Sequence, residues 1–404
     1  MSGGFMGRFI EFSPPDISQL EIDEVVAVLR SGWITTGAKA KEFEQLLAAF
    51  CGTEHVACVN SATAALELTL RVLGIGRGDE VITSAYTYTA SASVILHVGA
   101  TPVLVDTAPD SFHLDCERVK SAISERTKAV IGVDVAGMMC DYAKIIDAAR
   151  GGAGAFHPNC ALQEAMGRIA VIADAAHSLG AEYDGKKSGA AADFSAFSFH
   201  AVKNLTTAEG GAATWRAIDG VDSGELYRQY RLLSLHGQSK DAYEKARRGG
   251  WEYDVVTPGY KCNLPDVLAA IGVAQLGRYP ALLARRRGLA GLYTGLLRDE
   301  RFLLPQHLTA RAQSSVHLYP VRLAGRDEAY RNRVIERMAE LGVAANVHYK
   351  PLPMLTAYKQ LGYDIADYPN AFAQYKNELT LPLYTLLSDE EAAYVAHSFI
   401  TACE

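Results

Sequence analysis

The sequence predicts an α/β protein with a mostly parallel central sheet flanked by helices, followed by a smaller C-terminal α+β domain. The chain has 404 residues, which is long enough for two domains with a sizeable core. In its first part, short apolar runs alternate with segments of helical periodicity, as in a wound parallel sheet. This pattern breaks near residues 249–258, where glycines and Pro258 occur. We therefore expect a large domain with an N-terminal arm at residues 1–256 and a small domain at residues 257–404.

The spacing of apolar residues predicts the individual elements in chain order. Val25, Val28 and Leu29 recur at helical intervals, which predicts a first helix at residues 17–31. The same criterion predicts helices at residues 41–50, 61–73, 90–98, 266–276 and 330–341. Uninterrupted apolar runs predict buried strands at residues 56–59, 80–83, 101–105, 129–135 and 169–173. Two further strands, at residues 316–323 and 344–349, are expected in the smaller domain.

Composition and charge exclude several classes of function. The 46 acidic residues outnumber the 39 basic residues and no basic run occurs, so nucleic acid is not an expected partner. Seven cysteines without a C-x-x-C pair indicate reduced thiols rather than a disulfide framework. The 11 histidines show no metal-binding spacing, and no apolar run reaches membrane-spanning length. Because the N-terminus shows no signal pattern either, we expect a cytoplasmic protein that uses no metal.

One acidic residue and one lysine point to a particular cofactor. Asp174 ends the apolar run at residues 169–173, and ligand-binding residues collect at the carboxyl ends of such strands. Lys203 follows in a turn of aromatic, hydroxyl and small residues. Pyridoxal phosphate needs such a pair, because a carboxylate keeps its ring nitrogen protonated and an amine binds its aldehyde covalently. The protonated ring would in turn lower the pKa of Asp174. On these two residues alone, a helix-capping aspartate and a surface lysine remain an equal alternative.

Six ordered blocks of sequence resemble one family across nearly the whole chain. They lie at residues 31–37, 60–66, 174–178, 197–211, 259–263 and 346–352. Together they resemble the DegT/DnrJ/EryC1/StrS family of nucleotide-sugar aminotransferases that depend on pyridoxal phosphate. The resemblance implies fold type I of the pyridoxal-phosphate-dependent transferases, the fold of aspartate aminotransferase. It also implies that Lys203 and Asp174 are the catalytic residues and that the Lys203 amine transfers the reacting proton.

The resemblance assigns the cofactor phosphate to a helix N-terminus. Ser61, Ala62 and Thr63 lie where a strand turns into a helix, and free N–H groups there suit a phosphate. Ser198 would be a second hydroxyl on this phosphate. Asn263 would reach it from a neighbouring subunit, which implies a homodimer with shared active sites. The alternatives from the residues alone are a helix cap for Ser61 and a turn residue for Asn263.

Two further cofactor contacts follow from the resemblance alone. Tyr88 would stack on the ring of the cofactor, although an aromatic residue just after a strand is more often part of the core. His177 would lie close to the ring oxygen, and the alternative is a structural histidine with satisfied hydrogen bonds. His200, beside the lysine turn, is expected only to pack or to support the lysine loop.

The substrate class also comes from the resemblance. It implies that glutamate donates an amino group to a nucleotide-linked keto-sugar, for which we prefer a UDP-linked 4-keto-6-deoxy-N-acetylhexosamine used in surface-glycan synthesis. An aromatic residue and hydroxyls suit a sugar pocket, and histidines and tyrosines of the small domain match positions near the substrate. The expected substrate residues are Trp33, Thr35, Thr36, His317, Tyr319, His348 and Tyr349. For residues 33–36, a turn followed by a capping threonine is the alternative.

Other functions on the same fold remain open from the sequence. One is a sugar dehydratase, although relatives of that kind carry histidine where this chain has Lys203. A second is an aminotransferase acting on a keto-cyclitol or in ring amination, and a third is a non-catalytic regulatory relative. The chain also departs from the family pattern in a glycine-rich insertion at residues 150–160 and in Asp134, where relatives often have histidine. The insertion is either a surface excursion or a cover over the substrate entrance.

Overall fold

The computed structural model describes residues 9–240 and 252–404. Up to residue 240 the helices are α1 (Gln19–Ser31), α2 (Ala38–Cys51), α3 (Ala62–Val72), α4 (Ala90–His97), α5 (Cys116–Ala122), α6 (Tyr142–Gly151), α7 (Ala161–Met166) and α8 (Ser223–Ser234). The strands of this part are β1 (Val56–Val59), β2 (Glu80–Ser84), β3 (Thr101–Val105), β4 (Thr127–Val133), β5 (Ala170–Asp174), β6 (Glu182–Tyr183), β7 (Lys186–Lys187), β8 (Phe194–Ser198) and β9 (Gly211–Trp215).

The remaining elements belong to the C-terminal part. Its helices are α9 (Asp266–Leu296), α10 (Glu328–Glu340), α11 (Thr356–Gln360), α12 (Pro369–Tyr375) and α13 (Asp389–Ala402). Its strands are β10 (Phe302–Leu303), β11 (Ala312–Gln313), β12 (Tyr319–Leu323) and β13 (Glu378–Leu381). Strands β10, β12 and β13 form a small antiparallel sheet, and β11 pairs with β6 of the first part.

A seven-stranded sheet organises the first part in the order β1-β9-β8-β5-β4-β2-β3. Strands β8, β5, β4, β2 and β3 pair in parallel, whereas β9 runs antiparallel to both of its neighbours, β1 and β8. The prediction of a mostly parallel sheet is therefore confirmed. Strands β8 and β9 were not predicted, because the sequence there was assigned only to the turn that bears Lys203.

The sheet is buried on both faces, as its continuous apolar strands require. Along β4, Val130 packs into one core with Phe43 and Val171. Its neighbour Ile131 points to the other face and packs into a second core with Leu66. All seven residues of β4 are buried. Helices on both faces thus hold the carboxyl edge of the sheet in a fixed position.

Helix α9 links the cores of the two parts and is much longer than predicted. It has 31 residues and contains Pro280, whereas the sequence predicts a helix that ends at residue 276. Tyr279 packs into the core of the first part, whereas Tyr293 packs into that of the C-terminal part. Among the described residues it is the one helix long and apolar enough to cross a membrane, but a core helix passes the same test. Tertiary packing at both ends explains why local helix breakers do not end it.

The C-terminal part is the expected smaller α+β unit, with two differences from the predicted elements. The strand predicted at residues 344–349 is absent, because Val343 and Asn346 form only isolated bridges, to Ile10 and Thr380. The strand predicted at residues 316–323 begins only at Tyr319. Val316 has a φ of 53°, which is incompatible with a strand. The division of the chain at residue 257 remains a prediction.

Candidate active site

A cavity of about 510 Å³ opens at the carboxyl edge of the parallel strands. Strands β4, β5 and β8 end beside it, at Val133, Asp174 and Ser198, and Asp134 directly follows β4. Eleven of the expected site residues line this one cavity: Ser61, Ala62, Thr63, Tyr88, Asp174, His177, Ser198, Lys203, His317, His348 and Tyr349. Ligands bind at this edge of open α/β sheets in general.

Asp174 is a buried carboxylate that is held in place by two donors. Its Oδ2 accepts a hydrogen bond from Ser91 Oγ at 2.7 Å, and its Oδ1 accepts one from the N–H of Ala176 at 3.2 Å. Burial raises its pKa, while these hydrogen bonds and the charge of Lys203 act in the opposite direction. The expected lowering of this pKa is thus not found in the protein alone, because burial is the largest effect. A cationic ring nitrogen would complete the ion pair that this carboxylate lacks.

Lys203 lies in the turn between β8 and β9 and is half-buried. Its backbone N–H donates to the carbonyl of His200 at 2.9 Å, which fixes the turn. Burial lowers the pKa of the amine to about 8, although the charge of Asp174 acts to raise it. A substantial fraction of the amine is therefore neutral near physiological pH. Only this neutral form is nucleophilic towards a carbonyl group.

The N-terminus of α3 forms the side of the cavity that suits a phosphate. Ser61 caps the helix, since its Oγ accepts from the N–H of Ala64 at 3.1 Å. The N–H groups of Ala62 and Thr63 precede the first intrahelical bonds and remain available. Ala62 has no positive φ, so alanine fits where relatives often have glycine. Gly211 of β9 approaches this turn so closely that an added Cβ would lie within 3.0 Å of backbone atoms of Ser61 and Ala62.

His177 and Tyr349 form a hydrogen-bonded pair in the wall of the cavity. The N–H of Ala136 donates to Nδ1 of His177 at 3.3 Å, so the imidazole proton is on Nε2. Nε2 lies 3.0 Å from the hydroxyl of Tyr349 and donates to it. Burial, followed by the charge of Lys203, lowers the pKa of His177 well below its usual range. The ring is therefore a neutral hydrogen-bonding group.

The ring of His317 packs against that of His177 at an angle of 45°, with ring centroids 4.3 Å apart. Asn204 sets the tautomer of His317. The Nδ2 group of Asn204 donates to the carbonyl of Ser315 at 2.8 Å, so its Oδ1 faces Nδ1 of His317 at a distance of 3.0 Å. Nδ1 therefore carries the proton, and Nε2 has a free lone pair. Burial holds the pKa of His317 well below its usual range. The histidines at this end of the cavity add hydrogen-bonding capacity without charge.

Tyr88 follows β2 and lines the cavity with 60% of its surface exposed. Its ring centroid lies 5.9 Å from that of Tyr349. The side chain is thus not part of the core, which was the alternative for an aromatic residue at this point. One face of the ring remains available to a ligand, and its stacking role stays a prediction.

Three expected substrate residues near the N-terminus do not line the cavity. Thr36 is buried, and its hydroxyl donates to the carbonyl of Leu264 at 2.6 Å. Trp33 donates from Nε1 to the carbonyl of Thr36 at 3.3 Å, while Thr35 is exposed. The carboxylate of Asp266 caps α2, with Oδ1 2.7 Å from the N–H of Gly37. Within one subunit this segment is a turn, as in the alternative interpretation, but Asp266 and not a threonine caps the helix.

Asn263 and Tyr319 also lie outside the cavity. Asn263 is buried and contacts the hydroxyl of Thr36 and the amine of Lys261 within its own subunit. Its role at a neighbouring subunit stays a prediction. Tyr319 is wrong as a substrate residue, because its ring is fully buried in the C-terminal core and its hydroxyl bonds that of Thr294 at 2.8 Å.

The structure adds Ser91, which the sequence did not single out, and shows the contacts of Asp134. Ser91 contacts Asp174 directly, and its hydroxyl also bonds that of Thr87 at 2.8 Å. Asp134 lines the cavity, but both oxygens of its carboxylate already accept hydrogen bonds, from the hydroxyls of Tyr142 and Ser178 at 2.7 and 2.6 Å. Serine in a small-residue helix gives no signal of its own, so Ser91 could be found only through the fold.

The insertion at residues 150–160 lies away from the cavity. Asn159 donates to both carboxylate oxygens of Asp79, at 2.9 and 3.0 Å, just before β2 begins. Cys160 contacts the carbonyl of Leu73 at the end of α3. These contacts are at the amino edge of the sheet, opposite the site. Of the two alternatives, these contacts support a surface excursion, since residues 150–160 do not line the cavity of the same subunit.

The cavity fits pyridoxal phosphate by the chemistry of its donor set: a partly neutral amine, a buried carboxylate that forms no ion pair within the described residues, and the N-terminus of α3. Elsewhere in residues 9–240 and 252–404, no group of three or more His, Cys, Asp and Glu side chains could hold a metal ion. The binding determinants present are thus those of an organic, phosphorylated cofactor.

Comparisons with known proteins agree with this chemistry. The model of the DegT/DnrJ/EryC1/StrS aminotransferase family matches residues 15–400. The PLP-form of the putative sugar aminotransferase Spr1654 from Streptococcus pneumoniae is 51% identical over 98% of both chains, with a TM-score of 0.95. Helicobacter pylori PseC, an aminotransferase involved in the biosynthesis of pseudoaminic acid, is 31% identical over 98% of this chain and 99% of its own, with a TM-score of 0.85. The Bacillus subtilis spore coat polysaccharide biosynthesis protein SpsC is 38% identical over 95% of this chain and 94% of its own. The chain therefore belongs to the DegT/DnrJ/EryC1/StrS aminotransferase family and is a pyridoxal-phosphate-dependent sugar aminotransferase of fold type I.

Proposed function

We propose that the chain transfers an amino group from glutamate to a nucleotide-linked keto-sugar, namely a UDP-linked 4-keto-6-deoxy-N-acetylhexosamine, for the synthesis of a surface glycan. The observation that carries this proposal is the pairing of Lys203 with neutral imidazoles in one cavity. An uncharged, hydroxylated ring needs hydrogen-bonding partners rather than charges. Two relatives, a polysaccharide biosynthesis protein from B. subtilis and an aminotransferase of pseudoaminic acid biosynthesis from H. pylori, support a sugar of this kind.

Each cofactor contact has a residue of matching chemistry. The N–H groups of Ala62 and Thr63, with the hydroxyls of Ser61 and Ser198, would hold the phosphate. Asp174 would hold the ring nitrogen. When bound, pyridoxal phosphate supplies an aldehyde that accepts the amino group and a ring that withdraws electrons.

The residues of the chain then bind, orient and move protons. Lys203 would hold the cofactor through its amine and, when that amine is free, would move a proton at the carbon that gains or loses nitrogen. Its lowered pKa lets it do both near neutral pH. Ionised Asp174 is kept in position by Ser91. His177 holds Tyr349 through its Nε2–H, so the hydroxyl of Tyr349 is free to donate towards a ligand.

A homodimer with shared active sites is part of the proposal. Tyr253, Val255, Val256 and Tyr260 are between 42% and 63% exposed, and they lie on the segment that leads to Asn263. If a second copy of the chain covers these apolar side chains, the segment with Asn263 of the first copy would lie near the cavity of the second copy. A cytoplasmic location also stays a prediction.

A comparison of acceptors tests the proposal. The purified holoprotein is loaded with glutamate and then offered the UDP-linked 4-keto sugar, a keto-sugar without the N-acetyl group, and a keto-cyclitol. We expect an aminated product, identified by mass, from the UDP-linked sugar. Selective use of the cyclitol, or loss of a sugar hydroxyl instead of gain of nitrogen, would replace the proposal by ring amination or dehydration.

Two tyrosines provide a matched pair of variants for the same experiment. Tyr349→Phe removes a hydroxyl that faces the cavity, and we expect a higher KM for the sugar. Tyr319→Phe removes a hydroxyl in the C-terminal core and should leave KM unchanged. Equal effects on KM would show that the wall formed by His177 and Tyr349 does not bind the sugar.

A further inference from the structure

Behind the cavity, three polar groups form a hydrogen-bonded chain that ends in a buried carboxyl group. Nδ1 of His348 lies 2.9 Å from Oγ1 of Thr380, and this hydroxyl lies 2.6 Å from Oε1 of Glu378. Thr380 and Glu378 are fully buried. They stand two residues apart on β13, and therefore on the same face of the strand.

The backbone holds this chain of groups rigidly. Thr380 exchanges two backbone hydrogen bonds with Asn346, at 2.7 and 3.2 Å. The ring of His348 stacks on Phe12, with centroids 5.5 Å apart and planes 20° apart. The opposite ring nitrogen, Nε2, has no hydrogen-bond partner among residues 9–240 and 252–404, and the ring borders the cavity with Lys203.

The second oxygen of Glu378 decides where a proton can reside. Oε2 accepts a hydrogen bond from the backbone N–H of His348 at 2.9 Å. A backbone N–H can only donate, so Oε2 remains an acceptor in every state. A proton on Glu378 must therefore occupy Oε1, which is the oxygen that faces Thr380.

Two arrangements of protons are consistent with these positions. When Glu378 is ionised, Thr380 donates to Oε1 and His348 donates from Nδ1 to Thr380, which leaves Nε2 as an acceptor. When Glu378 is protonated, Oε1 donates to Thr380, Thr380 donates to Nδ1, and the proton of the imidazole is on Nε2. The ring is neutral in both arrangements.

We propose that Glu378, Thr380 and His348 form a proton relay that delivers a proton to an oxygen of the keto-sugar from Nε2 of His348. In the delivery, the Nε2–H bond breaks, Nδ1 takes the hydroxyl proton of Thr380, and Thr380 takes the proton of Oε1. One proton leaves the carboxyl group and one reaches the sugar oxygen, so the transfer is balanced. This step rests on the proposed function, because replacement of a carbonyl oxygen by nitrogen requires that oxygen to leave as water.

The electrostatics favour a relay over a charged imidazolium. Burial, followed by the charge of Lys203, lowers the pKa of His348 to about 3, so the ring resists a second proton. Burial raises the pKa of Glu378 to about 8, so both of its forms are accessible. The charged and titratable groups that face this pair from the surrounding elements are Arg331, Arg322, Lys203, Tyr86, Tyr349, His177 and His317.

Isotope-labelled histidine gives a direct readout that needs no substrate. The holoprotein is followed by nuclear magnetic resonance, and the signal of His348 is assigned by its absence in His348→Gln. We expect the proton to move from Nε2 to Nδ1 as the pH rises through about 8, because the ionised Glu378 then accepts from Thr380. A tautomer that does not change across this range would overturn the relay.

Three variants separate the relay from a structural role. Glu378→Gln should keep the proton of His348 on Nε2 at every pH. The amide oxygen of the new glutamine must face the backbone N–H of His348, so its NH₂ group donates to Thr380 and Thr380 donates to Nδ1 of His348. Thr380→Val removes the hydroxyl that links His348 to Glu378 and should abolish the pH dependence of the His348 tautomer. Thr380→Ser keeps a hydroxyl and should retain this pH dependence. Behaviour of Thr380→Val like that of the unchanged protein would contradict the proposal.

The two half-reactions add a kinetic criterion. In Glu378→Gln and Thr380→Val we expect the rate with the keto-sugar to fall about 100-fold, while the rate with glutamate changes little. Equal losses in both half-reactions would indicate distortion of the site and would overturn the relay. If no keto-sugar is a substrate at all, the proposed function fails, but the tautomer measurement still decides whether the three groups are coupled.

Discussion

Ser91 on helix α4 donates a hydrogen bond to Oδ2 of Asp174 at the end of β5, at 2.7 Å. The bond joins a helix to the strand end that bears the buried carboxylate. Since burial raises the pKa of Asp174, every donor to its oxygens helps to keep it ionised. Ser91 is thus a positioning residue that acts through Asp174.

We predict that Ser91→Ala lowers kcat/KM about tenfold, because a charged hydrogen bond of about 1.5 kcal/mol is lost. The affinity for pyridoxal phosphate should fall as well. Steady-state kinetics and equilibrium dialysis of the cofactor measure the two effects. Ser93→Ala is the control, since Ser93 lies on the same helix and only contacts the carbonyl of Ala90 at 3.4 Å. Equal losses of kcat/KM and of cofactor affinity in Ser91→Ala and Ser93→Ala would refute the role of Ser91 as a positioning residue.

The pKa of Lys203 predicts how fast the apoprotein captures pyridoxal phosphate. Only the neutral amine attacks the aldehyde, so the rate should rise about tenfold per pH unit and level off above about pH 8. The development of colour after mixing measures this rate. A continued rise towards the ordinary lysine pKa of 10.5 would show that burial does not lower the pKa of this amine.

Gly211 is required by the close approach of β9 to the N-terminus of α3. We predict that Gly211→Ala weakens cofactor binding at least tenfold and destabilises the protein by about 1–3 kcal/mol, because its Cβ meets backbone atoms that cannot move aside. Gly288→Ala on the exposed face of α9 meets nothing within 4 Å and should stabilise by about 0.5–1 kcal/mol. Cofactor titration and thermal unfolding test both variants.

The insertion at residues 150–160 is expected to serve stability alone. Asn159→Ala removes two hydrogen bonds to the buried carboxylate of Asp79, which should cost about 1–3 kcal/mol of unfolding free energy. kcat/KM should stay within about twofold, because the insertion lies at the edge of the sheet opposite the cavity. A large change in KM for the sugar would instead place this segment at a substrate entrance.

Much of the fold and site could be predicted from the sequence, because continuous apolar strands and the ordered motifs are local signals. The misplaced residues fail for non-local reasons. Tyr319 matches a position that the resemblance places near the substrate, but it begins strand β12 and its ring is buried in the C-terminal core. Thr36 has the chemistry of a sugar contact, yet its hydroxyl is taken by the distant Leu264.

The roles of Glu378 and Thr380 behind the cavity could not be predicted from the sequence for the same reason. Glu378 and Thr380 are remote from Lys203 in sequence, and neither residue type indicates a role by itself. Helix α9 extends beyond its local signals because its two halves pack into two different cores. Sequence identified the chemistry of the site, whereas partners and boundaries depended on tertiary packing.

The most direct test follows the colour of the holoprotein when glutamate and then the UDP-linked 4-keto sugar are added, with Lys203→Ala measured beside it. We expect glutamate to bleach the colour with release of one 2-oxoglutarate per site, and the sugar to restore it with formation of the aminated sugar. Lys203→Ala should show neither change. Bleaching in Lys203→Ala at the same rate, or failure of glutamate to bleach the unchanged protein, would contradict the proposed amino transfer.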